Sequence, residues 1–308
     1  MIPVLNWQLF VTGKDPDAFT ASLGAACRTN GIFLLSDHGI PRGLLAEVRE
    51  ASDAFFALPE AEKSQLDIRR SKANRGWAGV GVEITRAHLR KESFSMGLDL
   101  TPEDPRVLAG EPFRAPNLWP EIDTFRDAMR DYYKEMLGLG RFLLKAVERD
   151  LELPAGFFQP HFSEPMATLR LSHYHGTPPA ELSPEARQGP AQTDYGSLTV
   201  VLTDGASGLQ VLTPRGEWVD LPEIPGTLAV LVGDCLMRWS NDQYRAAAHR
   251  ILTPETPRRL AAFYLDPNPD SLIAPLPRMG PPNYAPVRAA DYLRARLDET
   301  YLSAEAAQ

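Results

Sequence analysis

Six histidines could take part in metal or proton chemistry: His38, His88, His161, His173, His175 and His249. A lone histidine in a loop or strand is usually a packing or hydrogen-bonding residue. His249 differs because it ends the segment Tyr244-Arg-Ala-Ala-Ala-His249, which follows Arg238-Trp-Ser-Asn-Asp242 and precedes a strand-rich piece. Upstream, Gln192-Thr-Asp194 puts a carboxylate at a turn that leads into a strand. Imidazole and carboxylate are both metal-ligand types, so these two segments are the first candidates for a site.

Short segments rich in strand-forming residues surround these candidates in the second half of the chain. They are residues 168–171, 198–202, 209–212, 227–232 and 260–265. Turn residues separate the segments at short spacing, which is typical of a β-sandwich or jelly roll. Gly226 and Gly233-Asp234 are interpreted as hairpin turns, since no phosphate-binding glycine spacing accompanies them.

Apolar residues at helical spacing predict helices in the first half of the chain. One begins after the capping residues Asp15 to Asp17, a second runs from Arg42 to about Ala57, and a long one from Trp119 to Glu152. A last helix is predicted from Ala289 to Tyr301. Residues 70–120 hold scattered Gly and Pro with little periodicity, which indicates the loops and short strands that often line a pocket.

Helices and strands are expected to share one domain over residues 1–308, because the chain has no internal repeat, low-complexity tract or convincing linker. Within this domain, residues 1–165 are predicted to be mostly helical and residues 166–270 to form the β core. Residues 271–308 would supply a C-terminal loop and helix. The predicted fold class is therefore α+β.

Composition excludes several classes of partner. The 308 residues carry 32 basic and 40 acidic side chains, a formal charge of −8 without long runs of one sign, so nucleic acid and anionic membranes are not expected partners. Cys27 and Cys235 lie far apart and outside any CxxC spacing, which argues against a disulfide framework and fits a reducing cytoplasm. No signal-like start or long apolar run indicates secretion or membrane spanning.

Seven segments in chain order match one known pattern. They are Asn30 to Ile40, Lys91 to Gly97, Leu169 to Tyr174, Gly208 to Val211, Gly233-Asp234, Arg238 to Asp242 and His249 to Ile251. Together they resemble the Fe(II)/2-oxoglutarate-dependent oxygenases, in the branch that includes isopenicillin N synthase and the plant flavonoid and gibberellin oxygenases. The resemblance covers nearly the whole chain and implies a double-stranded β-helix, or jelly roll, with flanking helices.

The resemblance also implies a metal centre written His-x-Asp and, further on, His. Two imidazoles and one carboxylate would hold Fe(II) on one face and leave positions for 2-oxoglutarate and O2. By position, Asp194 and His249 are the implied carboxylate and distal histidine. The i, i+2 spacing of the first two ligands would place both on one side of an extended strand.

This chain departs from the pattern at position 192, where it has Gln192 in place of histidine. An amide oxygen is a weaker donor towards Fe(II) than imidazole, so iron affinity should fall. Three interpretations stay open: weak iron binding with Gln192 or water as third ligand, no functional metal, or a substitution introduced to hold a complex unreacted. Rescue by His173 or His175 is not expected, because strand alternation points them away from the side of Ser172 and Tyr174.

A second departure concerns the cosubstrate. The family binds the far carboxylate of 2-oxoglutarate with Arg-x-Ser, and the alignment places Arg258 at the arginine but Leu260 at the serine. Arg258, helped by Tyr174 and Ser172, is the implied anchor, with a solvent-facing arginine as the alternative. Trp77, Phe94 and Met96 lie where family members build the substrate wall, although such residues are more often plain core.

The resemblance implies Fe(II)/2-oxoglutarate-dependent oxidation of a small organic molecule by O2, through hydroxylation, desaturation or cyclisation, with release of succinate and CO2. The alternative is a jelly-roll protein that binds a small molecule and has lost turnover. Gln192 and Leu260 favour this alternative, because both remove polar groups that the chemistry normally uses.

Overall fold

The structure is a computed structural model that describes residues 1–83, 90–178, 181–182, 187–203, 205 and 208–301, so that His88 lies outside the described residues. Its strands are β1 (Val4–Asn6), β2 (Ile32–Ser36), β3 (Gly76–Ala78), β4 (Lys91–Met96), β5 (Thr168–Tyr174), β6 (Leu198–Thr203), β7 (Leu209–Leu212), β8 (Trp218–Asp220), β9 (Leu228–Val232), β10 (His249–Ile251), β11 (Arg258–Leu265), β12 (Leu272–Ile273) and β13 (Val287–Arg288).

The helices are α1 (Gln8–Val11), α2 (Pro16–Thr29), α3 (Arg42–Phe56), α4 (Glu60–Lys63), α5 (Pro105–Leu108), α6 (Phe125–Asp150), α7 (Asp234–Trp239) and α8 (Ala289–Tyr301). Short 3-10 turns cover Ser64–Leu66, Ile68–Arg70, Gln159–Phe162 and Pro277–Met279. The predicted cap of α2 is confirmed: Pro16 opens the helix, and the Asp15 carboxylate accepts a hydrogen bond from the Ala18 amide at 3.1 Å.

Eight of these strands form one sheet in the order β1-β2-β9-β6-β11-β5-β4-β3, and β10-β7-β8 form a second. All neighbouring pairs are antiparallel except β1 and β2. Side chains of the two sheets, among them Val201 and Ala262 on one and Leu209 and Val211 on the other, pack together in one apolar cluster. The sheets therefore face each other as the two walls of a jelly roll, as expected.

Helices α2, α3 and α6 cover the other face of the large sheet. Phe94 of β4 packs there against Phe55 of α3 and Phe125 of α6, with ring centroids 4.5 and 5.7 Å apart. Because successive strand residues alternate between faces, the same strand directs Ser93 and Ser95 to the side of the jelly roll. The sequence pattern of α6 is explained by this burial, since its apolar residues point at the sheet.

Two predicted elements differ from the structure. The long helix begins at Phe125 rather than Trp119, because Thr124 adopts a left-handed conformation (φ 65°) that interrupts the helix. Gly233-Asp234 is not a hairpin turn: Gly233 is the N-cap of α7, and a Cβ there would lie 2.3 Å from the Gly196 carbonyl oxygen. A glycine is required at 233 by this close approach of two backbones.

None of the described helices has the length and apolar character needed to cross a lipid bilayer.

Candidate active site

The backbones of Gln192 and His249 pair directly, although 57 positions separate them. Each amide donates to the other's carbonyl at 2.9 Å, which forms an isolated antiparallel bridge next to β10. This bridge brings the Gln192 and His249 side chains to the same place between the two sheets. The expected proximity of the two segments is therefore present.

The His249 ring is oriented so that Nε2 is available as a ligand atom. Its Nδ1 donates to the Ala247 carbonyl at 2.8 Å, which leaves the lone pair on Nε2. Nε2 lies 3.8 Å from the Asp194 Oδ1 and 2.9 Å from the Gln192 Nε2, which donates to it. Asp194 and His249 are both buried. A backbone carbonyl that fixes the tautomer of a ligating histidine is a common arrangement in metal sites.

Asp194 is held by the start of α7. The Asp234 amide donates to the Asp194 carbonyl at 2.8 Å, and the Cys235 amide donates to the Gly196 carbonyl at 2.9 Å. These two bonds use free amides at a helix N-terminus to fix the turn that carries the carboxylate. The close contact of Gly233 with Gly196 tightens the same turn.

An inner cavity of about 460 Å³ lies between the two sheets beside this pair. Its wall includes Ser172, Tyr174, Val201, Leu209, His249, Ile251, Leu260 and Ala262. Arg258 is buried and shares the strand face of Leu260 and Ala262, directly opposite Tyr174 in the β5-β11 register. It is therefore not a solvent-facing arginine. Gly208 leaves room for it, since a Cβ there would lie 3.0 Å from the Arg258 Nη1.

Lys91 also lines the inner cavity and was not predicted as a site residue. Its Nζ lies 2.8 Å from the Glu83 Oε2 and 6.0 Å from the centre of the Tyr174 ring. The sequence carried a usable signal, because Lys91 and Ser93 alternate onto the same face of β4.

A second, outer cavity of about 680 Å³ adjoins the inner one, and Asp194 and Tyr264 line both. Two buried or half-buried arginines, Arg75 and Arg170, belong to its wall, together with Asp266. Burial lowers the pKa of Arg75 to about 10 and raises the pKa of Asp266 to about 7.

These polar groups of the outer cavity were missed by the sequence analysis. The alternation of side chains along a strand could have predicted two of them. Arg170 lies on the same face of β5 as Ser172, and Tyr264 lies on the same face of β11 as Arg258. Arg75 lies in a loop and donates a hydrogen bond to the Thr168 Oγ1 at 2.7 Å. No pattern in the sequence predicts this contact.

Trp77, Phe94 and Met96 do not line either cavity within the part of the chain that the structure describes. Phe94 and Met96 point into the core beneath the helices, and Trp77 is buried with its Nε1 donating to Glu92 at 2.8 Å. Phe94 and Met96 face the core because side chains alternate along β4. A role for Trp77, Phe94 and Met96 in a substrate wall stays a prediction.

His173 and His175 lie on the same core side of β5, away from Asp194. Both rings approach the carboxylate of Glu92, His173 through Nδ1 at 3.4 Å and His175 through Nε2 at 3.3 Å. This placement follows the expected alternation, so neither imidazole replaces the missing ligand at position 192.

Comparison with known proteins shows the family. Residues 2–122 match the family described as non-haem dioxygenase in morphine synthesis N-terminal, and residues 165–267 match the 2OG-Fe(II) oxygenase superfamily. The 2-oxoglutarate-Fe(II) type oxidoreductase hxnY of Emericella nidulans is 31% identical, over 99% of this chain and 91% of that protein. The chain belongs to the 2OG-Fe(II) oxygenase superfamily.

Solved structures with bound alpha-KG share the fold. A full-length Neurospora crassa protein in complex with alpha-KG superimposes with a TM-score of 0.87 at 27% identity, covering 97% of this chain and 96% of that one. The complex of the same protein with alpha-KG and thymine gives a TM-score of 0.85 at 26% identity, with 97% of each chain covered.

As a 2OG-Fe(II) oxygenase, the protein is a 2-oxoglutarate-dependent dioxygenase that uses Fe(II) to oxidise a small molecule. The alternative of a binding protein without turnover is not favoured. The described side chains fit the metal in two of three positions. The Asp194 Oδ1 and the His249 Nε2, which lie 3.8 Å apart, are the two atoms that would hold the ion. Gln192 presents its amide nitrogen, which is not a ligand atom.

Proposed function

We propose that Asp194 and His249 hold the Fe(II) of this oxygenase and that Gln192 contributes the third protein ligand through its amide oxygen. The observation that carries the proposal is the orientation of His249, whose Nδ1 is engaged by the Ala247 carbonyl while Nε2 points between Asp194 and Gln192. A neutral imidazole and a buried carboxylate in this arrangement are suited to one divalent ion.

Gln192 must rotate before it can act as a ligand. In the metal-free arrangement its Nε2 donates to the His249 Nε2 at 2.9 Å and occupies the lone pair that a metal needs. A half-turn of the terminal amide exchanges nitrogen for oxygen without moving the backbone bridge. The exchange gives up one hydrogen bond, a net loss of about 0.5–1.5 kcal/mol, which an ion-ligand bond readily offsets.

For the cosubstrate we propose Arg258 as the anchor of the far carboxylate, with Tyr174 and Ser172 beside it. Arg258 and Tyr174 are paired across β5 and β11, and both are almost fully buried, so an anion there is screened from water. Leu260, which lies opposite Ser172, cannot donate the hydroxyl bond that the family pattern supplies. Lys91, whose ammonium is paired with the Glu83 carboxylate at 2.8 Å, lines the same end of the inner cavity.

When bound, Fe(II) and 2-oxoglutarate would activate O2, which is the oxidant: two of its four oxidising equivalents convert 2-oxoglutarate to succinate and CO2, and the other two oxidise the small molecule. The chain's own contribution is placement and exclusion of water. Leu209, Leu231 and Ile251 line the inner cavity with apolar surface. Such surface strengthens the hold of the buried charges on the cosubstrate.

We propose further that the substrate is a compact polar molecule about the size of a nucleobase. The outer cavity offers guanidinium donors on Arg75 and Arg170 together with the carboxyl of Asp266, and its pKa of about 7 lets this carboxyl donate or accept a hydrogen bond near neutrality. A ring with both donors and acceptors on one edge would match these groups. Thymine, found in one complex of the Neurospora crassa protein, is such a ring.

We also propose that the chain acts as one domain in the cytoplasm, in the isopenicillin N synthase-like branch, and on small molecules rather than nucleic acid. Strands β1 to β4 of the N-terminal half share a sheet with the core strands, which supports a single unit. Both cysteines are buried and unpaired, as suits a reducing compartment. The acidic net charge of −8 argues against a polyanionic partner.

An anaerobic titration with Fe(II) in the presence of 2-oxoglutarate tests the site. The visible absorption of the iron–cosubstrate chelate should develop in the natural chain and be lost in Asp194→Asn and His249→Ala. His161→Ala removes a half-buried histidine that contacts Ser271 instead, and it should leave the band intact. If the two site variants still form the chelate and succinate as the natural chain does, the assignment of these ligands is overturned.

The substrate class is tested by succinate release with a panel of compounds. Pyrimidine bases and similar polar rings should stimulate succinate formation, whereas apolar terpenoid-like molecules should not. Arg170→Met should weaken the stimulation by raising the KM for the ring compound. Stimulation by the apolar set alone would contradict the proposed class and leave the iron site untouched.

A further inference from the structure

Three potential metal ligands converge on the core side of β4 and β5, separate from the candidate active site. Glu92 and His173 are direct partners in the β4-β5 register, and His175 follows β5 by one residue. His175 is held in place by its backbone amide, which donates to the Arg90 carbonyl at 3.1 Å. The i, i+2 spacing of the histidines therefore directs both rings over the same carboxylate.

The separations between these ligand atoms match those around a single ion. The Glu92 Oε1 lies 3.4 Å from the His173 Nδ1 and 3.3 Å from the His175 Nε2. Charge-assisted hydrogen bonds between such groups are shorter, about 2.7–2.9 Å. Ligands of a tetrahedral ion with bonds of about 2.0–2.1 Å stand roughly 3.3–3.4 Å apart. The two separations from the Glu92 Oε1 are thus compatible with one ion held between the three ligand atoms, which all lie within 4.8 Å of one another.

Hydrogen bonds to the second carboxylate oxygen of Glu92 fix the orientation of this proposed ligand. The Glu92 Oε2 accepts from the Lys63 Nζ at 2.7 Å and from the Trp77 Nε1 at 2.8 Å, which orients Oε1 towards the two rings. Outer hydrogen bonds of this kind orient ligands in known metal sites.

The imidazoles are also in a state that can ligate. Both ring nitrogens of His173 are buried, and apart from the 3.4 Å contact of Nδ1 with the Glu92 Oε1 they have no hydrogen-bond partner among the described residues. The His175 ring is half-buried, and its Nε2 faces the Glu92 Oε1. A third of the His175 side chain is exposed, which gives an ion a path from solvent.

We propose that Glu92, His173 and His175 form a second metal site that binds a borderline divalent cation such as Zn²⁺, with water in the fourth position. Two histidines, one glutamate and a water form a known zinc ligand set. The ammonium of Lys63 offsets part of the attraction, so binding should be weaker than at a fully structural zinc site. The bound ion would join β4 to β5 directly behind Lys91, Ser172 and Tyr174.

Cobalt and zinc binding measured in the full chain test this site. In an Asp194→Asn/His249→Ala background, which removes the proposed iron ligands, one Co²⁺ per chain should still bind and show the intense visible absorption of tetrahedral coordination. His175→Ala in the same background should weaken Zn²⁺ binding by more than the ~10–100-fold that loss of an outer partner costs. His161→Ala is the matched control and should bind as before.

A cysteine replacement separates ligation from a merely structural effect. His175→Cys should keep the ion and add a thiolate-to-Co²⁺ charge-transfer band in the near ultraviolet, which a packing role would not produce. Zinc should raise the Tm of the Asp194→Asn/His249→Ala background but not that of the same background carrying His175→Ala. The proposal is overturned if the double-site background binds no Co²⁺ while remaining folded, or if His175→Ala binds Zn²⁺ as tightly as its parent.

Discussion

At the scale of single residues, Gln192 has the largest consequence for activity. Its backbone makes the same bridge to His249 whatever the side chain, so a histidine could stand at 192 without altering the surrounding sheet. Its amide, however, donates to the very nitrogen that a metal requires. In the proposed site, Gln192 would therefore weaken iron binding in two ways, as a poorer ligand than imidazole and as a donor that competes for the His249 Nε2.

Replacing Gln192 by histidine should therefore strengthen iron binding. We expect Gln192→His to lower the Kd for Fe(II) by ~10-fold or more, equivalent to at least ~1.4 kcal/mol. The reason is that an imidazole replaces the amide, and the amide N–H that competes for the His249 Nε2 is removed. Anaerobic titration and succinate formation would measure both effects. Gln188→His, an exposed site beside Arg250, is the control and should change neither quantity.

Restoring the family hydroxyl at Leu260 should improve cosubstrate binding. Leu260 lies opposite Ser172 and two residues from Arg258 on the same strand face, so Leu260→Ser would place a donor at the proposed carboxylate. A hydrogen bond to a charged group contributes ~1.5–3 kcal/mol, which predicts a KM for 2-oxoglutarate lower by ~10-fold or more. Ala262→Ser, one step further along this face, should have little effect. Equal KM values in the natural chain and Leu260→Ser would contradict the anchor assignment.

The sequence identified part of this site and missed the rest for a geometric reason. Asp194, His249 and Gln192 were found through ordered motifs, and the structure brings all three together. Groups such as Arg75 and Asp266 belong to no motif, and they meet only because a loop folds over the end of β5. The Glu92 cluster likewise depends on the β4-β5 register, which sequence alone does not give.

At the scale of elements, helix α7 positions the carboxylate ligand through the glycine before it. Gly233 has φ −104°, which any residue can adopt, so a substitution there acts only through its side-chain volume. A methyl group would overlap the Gly196 carbonyl, whose turn carries Asp194.

Gly233→Ala should accordingly destabilise the fold and the metal site together. We expect a loss of roughly 1–3 kcal/mol in the free energy of unfolding and weaker Fe(II) binding, because the clash is with backbone and cannot be relieved by a rotamer change. Gly138→Ala, in the exposed part of α6 with open space around it, should instead gain ~0.5–1 kcal/mol. Denaturant unfolding of the two variants would show opposite signs. A Gly233→Ala protein as stable as its parent would contradict the steric argument.

Elements with long periodic patterns were predictable, whereas short ones were not. The apolar spacing predicted α2, α3 and α8 within one or two residues, and the β-rich segments predicted β6, β7 and β9. Strands β8 and β10 have three residues each, and α7 has six, which is too short for any period to show. These short elements exist because the jelly roll pairs and caps them, not because their residues favour them.

At the scale of the whole molecule, Asp266 makes stability depend on pH. Burial raises its pKa to about 7 from an unfolded value near 3.8, so the folded state binds its proton more tightly. Stability is then full below about pH 4 and falls as the pH rises towards 7. Above this range the buried carboxylate is charged, and Arg75 and Arg170 offset only part of the cost of burying that charge.

Removing that charge should stabilise the metal-free protein at alkaline pH. We expect Asp266→Asn to raise the free energy of unfolding at about pH 8 by up to ~4 kcal/mol, the equivalent of about three pKa units, and to have little effect at about pH 4. Denaturant titrations with a chelator present would give the difference at both values. Asp123→Asn, at an exposed position, should show no such pH dependence. A constant difference across this pH range would exclude Asp266 as the titrating group.

The division of the site into two adjoining cavities also affects which substrates the enzyme can select. Asp194 and Tyr264 stand at the junction, while Leu293 and Leu297 of α8 border the outer space. A ring held in the outer cavity would turn one end towards the Asp194 and Tyr264 side chains and the proposed iron. Selection among such rings should depend on the substituent at that end, so rings that differ only at the opposite edge should compete more equally.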